Sequence, residues 1–446
     1  MGLSQRFRNY CVLKALTPGG FFLSRGPRRQ VFVCGVEVEL PCTEAGNRNS
    51  NRGTARISRL RKPTLLIAAL FVASFSCGCK HASWPLWKSW SARFVNPETG
   101  RVSDPSGDRH TTSEGQAYAL FFSLAANDRQ TFEQVLDWTQ DNLASGDLSA
   151  HLPAWLWGKD KDGTWKVLDP NSASDADVWI AYSLLEAGRL WNLPHDSALG
   201  HAMMALIAKN EVANLPGFGP MLLPAPTGFQ HGETWTLNPS YLPLFVFERL
   251  ASYDASGPWH QIAQNTPRLL EQSSRHGYAL DWVEYVPSDG FYPAAAPMSS
   301  PSYDSTNNQA FGSYDAIRVY LWAGMTDPSD PLRSSVLNAV PAMKAWVDGH
   351  GAPPERVNGQ GIPLGKDGPV GFSAAVIPYL RTFPDSSQTV ARQIIRINAQ
   401  KSGKTGLYGK DEAYYDQCLA LFSTGFLEAR YRFGAGGELD VEWKRQ

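Results

Sequence analysis

Four carboxylates in this 446-residue chain stand in polar, small-residue settings where a loop turns into a predicted helix. Glu114 lies in Thr112-Ser-Glu-Gly-Gln116, Asp175 and Asp177 in Ser172-Ala-Ser-Asp-Ala-Asp-Val-Trp179, and Asp315 in Gly312-Ser-Tyr-Asp-Ala-Ile-Arg318. An acid in a helix's first turn often only caps it, stabilised by free N–H groups and the macrodipole. Ser174-x-x-Asp177 comes close to a capping box. Around these acids lie Trp155, Trp157, Trp165, Trp179, Trp235, Tyr241 and Tyr314. Most large aromatics are core residues, but flat Trp and Tyr faces also stack on the apolar faces of sugar rings. Carboxyls in unlike environments can cleave a glycosidic bond: one protonated, to give its proton to the leaving oxygen, the other ionised. Burial raises one carboxyl's pKa while a neighbouring Arg lowers another's. If the helix ends face inward, Glu114, Asp175 and Asp315 meet at one mouth. Trp157, Tyr241, Tyr314, Arg318 and Asp177 are then the expected substrate contacts.

Other chemistries find little support. Ser402-Gly-Lys-Thr405 ends like a P-loop, but Asn398 stands where the leading Gly is required. His-Glu-x-x-His and Gly-x-Ser-x-Gly do not occur, and the nine His never cluster at ligand spacing. No metal and no cofactor are expected.

The elements that must carry the acids read as helix, loop, helix, with few strand signals. Eleven apolar-periodic segments are predicted: 114–126, 130–143, 175–191, 195–210, 239–253, 258–276, 314–325, 331–347, 370–382, 387–399 and 414–433. Their lengths are those of ordinary helices. Four long loops, 145–174, 214–238, 277–313 and 349–369, are rich in Gly, Pro, Asp and aromatics. Long loops on a helical scaffold usually carry the site. Paired helices with long loops on one face predict a closed toroid of helical hairpins, and no short repeat points to a solenoid.

Charge divides the chain. The total is near neutral, with 41 Lys+Arg against 42 Asp+Glu. Residues 1–62 hold twelve bases and three acids, which leaves 29 bases and 39 acids in 63–446. A general nucleic-acid binder would carry a basic excess, so none is expected. Arg59, Arg61 and Lys62 precede the apolar run Leu65–Phe75 and the small-residue exit Ser76-Cys-Gly-Cys79. That pattern predicts a secretory signal over 59–79. The run is short of the roughly 20 apolar residues that span a bilayer; a buried core helix is the alternative. Residues 1–58 read as a basic extension outside the mature fold, and 83–440 as one catalytic domain acting in the periplasm or secreted. Lipidation at Cys77 or Cys79 is a second outcome of the same segment. Five of the six cysteines precede residue 80, so the mature domain, with Cys418 alone, forms no internal disulfide.

The run Ala173-Ser-Asp-Ala-Asp-Val-Trp-Ile-Ala-Tyr-Ser-Leu-Leu-Glu-Ala-Gly-Arg-Leu-Trp191 resembles the signature region of glycoside hydrolase family 8. Ser113-Glu-Gly-Gln-Ala-Tyr118, Tyr314-Asp-Ala-Ile-Arg318, Asn238-Pro-Ser-Tyr-Leu-Pro243 and Tyr414-Tyr-Asp-Gln417 also match its motifs. The resemblance covers about 84–433 and implies an all-α (α/α)6 barrel and an inverting mechanism. It implies Glu114 as general acid, Asp315 as general base, and Asp175 as the group that holds and distorts the sugar, a counterpart elsewhere assigned as nucleophile. Within the family the chain looks most like the periplasmic endoglucanases that accompany bacterial cellulose synthase. A β-1,4-glucan substrate, a cellulose synthase complex as partner and a monomeric enzyme are the corresponding expectations. Chitosan or xylan as the polymer, or a non-catalytic glucan-binding role in an export complex, are the alternatives.

Overall fold

The computed structural model describes residues 83–105, 108–298 and 309–445. The signal segment and the basic extension lie outside the described residues. Thirteen α-helices follow in order: α1 (Pro85–Phe94), α2 (Ser113–Ala125), α3 (Arg129–Leu143), α4 (Ser174–Trp191), α5 (Pro194–Asn210), α6 (Leu244–Tyr253), α7 (Trp259–Ser273), α8 (Ile317–Met325), α9 (Arg333–Ala339), α10 (Ala342–His350), α11 (Val370–Leu380), α12 (Ser387–Asn398) and α13 (Tyr414–Leu427).

Two kinds of helix emerge from their apolar patterns. Every residue of α8 and of α11 is buried, as is nearly all of α2. Helices apolar all round must be surrounded by others. By contrast α12 buries only Thr389, Gln393 and Ile397, one stripe at a spacing of four. The first kind, α2, α4, α6, α8, α11 and α13, forms an inner ring; α3, α5, α7, α9–α10, α12 and α1 pack outside it. The result is the expected (α/α)6 barrel. Gly324 of α8 allows the closest approach within the ring, since a Cβ there would collide with the backbone of Pro378 and Tyr379 on α11.

An aromatic plug fills the axis. Trp179 of α4 meets Phe121 at 4.9 Å and Trp322 at 5.5 Å between centroids, and Phe245 stacks on Phe433 at 3.8 Å. Phe433 belongs to a C-terminal hairpin, Tyr431–Phe433 with Leu439–Val441. That hairpin is sealed to α4 where Tyr182 donates to the Gly437 carbonyl at 2.9 Å. Trp179 and Trp235 are therefore core residues, not platforms.

Strands are commoner than the sequence predicts, and they sit in the long loops. β1 (Thr111–Thr112), β2 (Leu156–Lys159) and β3 (Trp165–Asp169) make one small antiparallel sheet. β4 (Val212–Leu215) pairs with β5 (Gly219–Leu222), and β6 (Gln230–His231), β7 (Thr234–Leu237), β8 (Trp282–Val286) and β9 (Gly290–Ala294) form a four-stranded sheet. β10 (Phe311–Gly312), β11 (Pro354–Asn358) and β12 (Pro363–Asp367) complete the set. Strands this short carry too few alternating positions to be legible as a period-two pattern. Several helix boundaries also differ, the start of α8 at Ile317 among them. Pro341 separates α9 from α10; the 239–253 segment opens with a 3₁₀ turn, Pro239–Tyr241; and 414–433 ends as helix at Leu427. An additional helix, α1, was not predicted.

Candidate active site

All the long loops lead from an outer helix into the N-terminus of an inner one. Inner helices in such a ring run the same way, so the loops and those N-termini share one face. The predicted carboxylates come together there.

Thr112 caps α2, accepting from the Gly115 N–H at 3.2 Å. Glu114 is thus free of capping duty. The residue is half-buried, and its carboxyl accepts from the Ser113 hydroxyl at 3.3 Å. Burial, then the nearby charge of Asp175, pushes its pKa up to about 8, against a smaller opposing pull from Arg318. It is protonated at neutral pH.

Asp175 is buried at the start of α4. Its Oδ1 accepts from the Ala176 N–H at 2.9 Å and its Oδ2 from Arg318 Nη1 at 2.8 Å. Burial raises its pKa and Arg318 holds that rise back. Arg318, itself buried, is the hub of the site. Nη1 also donates to the Tyr118 hydroxyl at 3.0 Å, and Nη2 to Ser240 Oγ at 2.8 Å and Asp315 Oδ1 at 2.9 Å. Asn238 shapes the Ser240 turn by accepting from its N–H and its hydroxyl. The same turn lays the Tyr241 ring 5.4 Å from the Arg318 guanidinium. A planar fork serving four oxygens in fixed directions is a role Lys cannot fill.

Asp315 does not open a helix. It lies in a turn before α8 and accepts from Arg318 three residues on. Tyr314 beside it is exposed, at 45%; its hydroxyl donates to Glu355 at 3.1 Å, and its carbonyl accepts from Tyr415 at 2.6 Å. Trp157 stands on β2, opposite Thr111 in the strand that runs into α2. It stacks on Trp165 at 5.0 Å, with Arg101 4.5 Å from each ring. Glu114, Asp175, Asp315, Arg318 and Tyr241 thus share one electrostatic cluster, with Tyr314 and Trp157 flanking it.

Asp177 is the exception and requires correction as a substrate contact. It is fully buried, and its carboxyl meets that of Glu211 behind the cleft. It is not a cap either: α4 begins at Ser174, preceded by Ala173, with no side-chain cap. On a helix, residues two apart point about 200° away from each other, so Asp175 and Asp177 cannot face the same way. Glu211 also accepts from Ser172 Oγ at 2.5 Å. Burial and mutual repulsion raise Asp177 well above the carboxylate range, and burial raises Glu211 to about 8. Raised folded-state pKa values mean the native state keeps protons that the unfolded chain releases, so stability falls as pH climbs from about 4.5 through about 8. Asp177→Asn supplies a donor to Glu211 that does not titrate. Its Tm should vary less between about pH 4.5 and about 8 than that of the parent; an unchanged slope in calorimetry would rule this carboxyl pair out as the cause.

Tyr118, Ser240 and Tyr415 are the site residues missed from the sequence. All three lie within quoted motifs, but nothing local distinguishes their hydroxyls from those of ordinary core residues. Among the described residues no group of three or more His, Cys, Asp or Glu is placed to hold a metal ion.

A helical barrel with one protonated and one ion-paired carboxyl above an aromatic-walled floor is the frame of a glycoside hydrolase. Residues 57–428 match the family model described as Glycosyl hydrolases family 8. The chain belongs to that family. Among curated relatives, an endoglucanase of Xanthomonas axonopodis pv. citri is 44% identical over 383 residues, 85% of this chain and 94% of that protein. An endoglucanase of Escherichia coli K12 is 42% identical over 385 residues, 86% and 96% of the two chains. The crystal structure of an endo-1,4-D-glucanase from Vibrio fischeri ES114 superposes with a TM-score of 0.73 at 39% identity, covering 81% of this chain and all of that one.

Proposed function

We propose that this chain is an endo-β-1,4-glucanase that cleaves internal glucan bonds by a single inverting displacement. The observation that carries the reading is the pair of unlike carboxyls around one guanidinium: Glu114, protonated by burial, and Asp315, ion-paired to Arg318. Glu114 gives its proton to the glycosidic oxygen as the bond to C1 breaks. Asp315 takes a proton from a water whose oxygen attacks C1 from the opposite face. Asp175, fixed by Arg318 and the Ala176 N–H, holds a sugar hydroxyl at the cleavage point. Tyr241, Tyr314 and Trp157 stack on neighbouring rings. The relatives' endoglucanase activity supports the same polymer.

The basic cluster and apolar run before residue 80 support export, and with it action on glucan made by a cellulose synthase complex. The 29 bases and 39 acids of residues 63–446 favour one rival polymer, cationic chitosan. Release of reducing ends from carboxymethylcellulose, xylan and chitosan decides between them. Proton NMR of the first product should show the α-anomer from a β-linked glucan; a β-anomer would overturn the inverting assignment.

A further inference from the structure

The turn bearing Asp315 is built from the far side by a residue with no evident sequence signal. Asp281 immediately precedes β8, and its N–H donates to the Phe311 carbonyl at 2.7 Å, which fixes it beside β10. One oxygen, Oδ1, then accepts two backbone N–H groups at 2.7 Å each, those of Ser313 and Ala316. These residues bracket Tyr314 and Asp315. Ser313 Oγ pins the same turn to the Glu355 carbonyl at 2.8 Å. Nothing on α8 itself caps its N-terminus, which is preceded by Ala316. The acceptor comes instead from a segment some thirty residues earlier.

We propose that Asp281 is the positioning residue of the general base: its carboxyl oxygen clamps the Ser313–Ala316 turn so that Asp315 points at the attacking water. The inference rests on the reading of Asp315 given above. Burial, then the charge of Asp315, raises Asp281 to about 7, with the turn's N–H groups opposing the rise.

Two variants test the clamp. In Asp281→Ala the acceptor is lost, and kcat should fall about 10²-fold, the usual cost of a misplacement near 1 Å, with KM within about twofold. In Asp281→Asn the side-chain oxygen still accepts both N–H groups, so most of the activity that the alanine variant loses should return. If the alanine variant does not fold, Asp281→Glu decides: its acceptor sits one methylene further out, and kcat should fall at least about tenfold with KM held. An alanine variant, or in its place a glutamate variant, with kcat within about threefold of the parent would overturn the inference. Asp315→Asn keeps the two readings apart: if it stays active, the base assignment itself fails, whereas an inactive Asp315→Asn beside an unaltered Asp281→Ala removes only the positioning role.

Discussion

Replacing Glu114 by Gln should lower kcat on carboxymethylcellulose by about 10²–10⁴-fold, the span expected when a general acid is removed. The amide has the shape of the acid and can keep the Ser113 contact, but it has no proton to give to a leaving alkoxide. Structure should survive unharmed, because the parent residue is already uncharged at neutral pH. Burial is the main cause of its pKa near 8, with Asp175 second. Folded-state protonation also predicts a sign. The catalytic form is lost as pH rises, so the alkaline limb of the parent's kcat/KM should fall toward pH about 8. Glu114→Gln should retain the parent's Tm and its affinity for cello-oligosaccharides in calorimetry. Hydrolysis persisting within about tenfold of the parent would remove Glu114 from the mechanism.

Arg318→Met should be costly in both stability and rate. The guanidinium donates four hydrogen bonds, to Tyr118, Asp175, Ser240 and Asp315. Without it the buried carboxyl of Asp175 keeps only the Ala176 N–H. Removing one partner of a buried pair leaves an uncompensated charge, at a cost of about 3–5 kcal/mol. Arg318 now restrains the upward shift of the Asp175 pKa. Its loss should let that pKa climb further, so the stability deficit is largest at alkaline pH and shrinks where Asp175 can protonate. Activity should drop by about 10²-fold or more as Asp175 and Asp315 both lose their orientation. Arg318→Lys should recover little, since a point charge on a flexible stem cannot reach four acceptors in fixed directions. Urea denaturation across pH measures the first effect and initial rates the second. A deficit below about 1 kcal/mol at neutral pH would show that the hub is dispensable.

The candidate site was legible wherever a helix made it so. Glu114 and Asp175 sit at N-termini of inner helices whose apolar runs are unmistakable, so their position along the chain already placed them on the mouth. Asp315 was found by its motif but assigned to the wrong element. It lies in a turn before α8, whose Ser313 and Ala316 N–H groups are held by Asp281, far off in sequence. Tyr241 and Arg318 were correctly drawn to the carboxylates, and the Arg318 hub between them accounts for it. Trp179 and Trp235 were drawn in by adjacency alone and belong to the core.

Asp177 marks the boundary most clearly. It shares a motif with Asp175, yet the helical rotation between them turns one carboxyl to the cleft and the other to Glu211. Local patterning, read by itself, determined that the domain is helical, that its helices alternate with long loops, and that Glu114 and Asp175 stand at helix starts. These follow from apolar periodicity and from residue types at helix starts, which are short-range properties. Only the tertiary structure decided which carboxyl is protonated, which is ion-paired and which is hidden. A pKa depends on burial and on charges within a few ångströms, and here those neighbours, Arg318 for Asp175 and Glu211 for Asp177, come from distant parts of the chain.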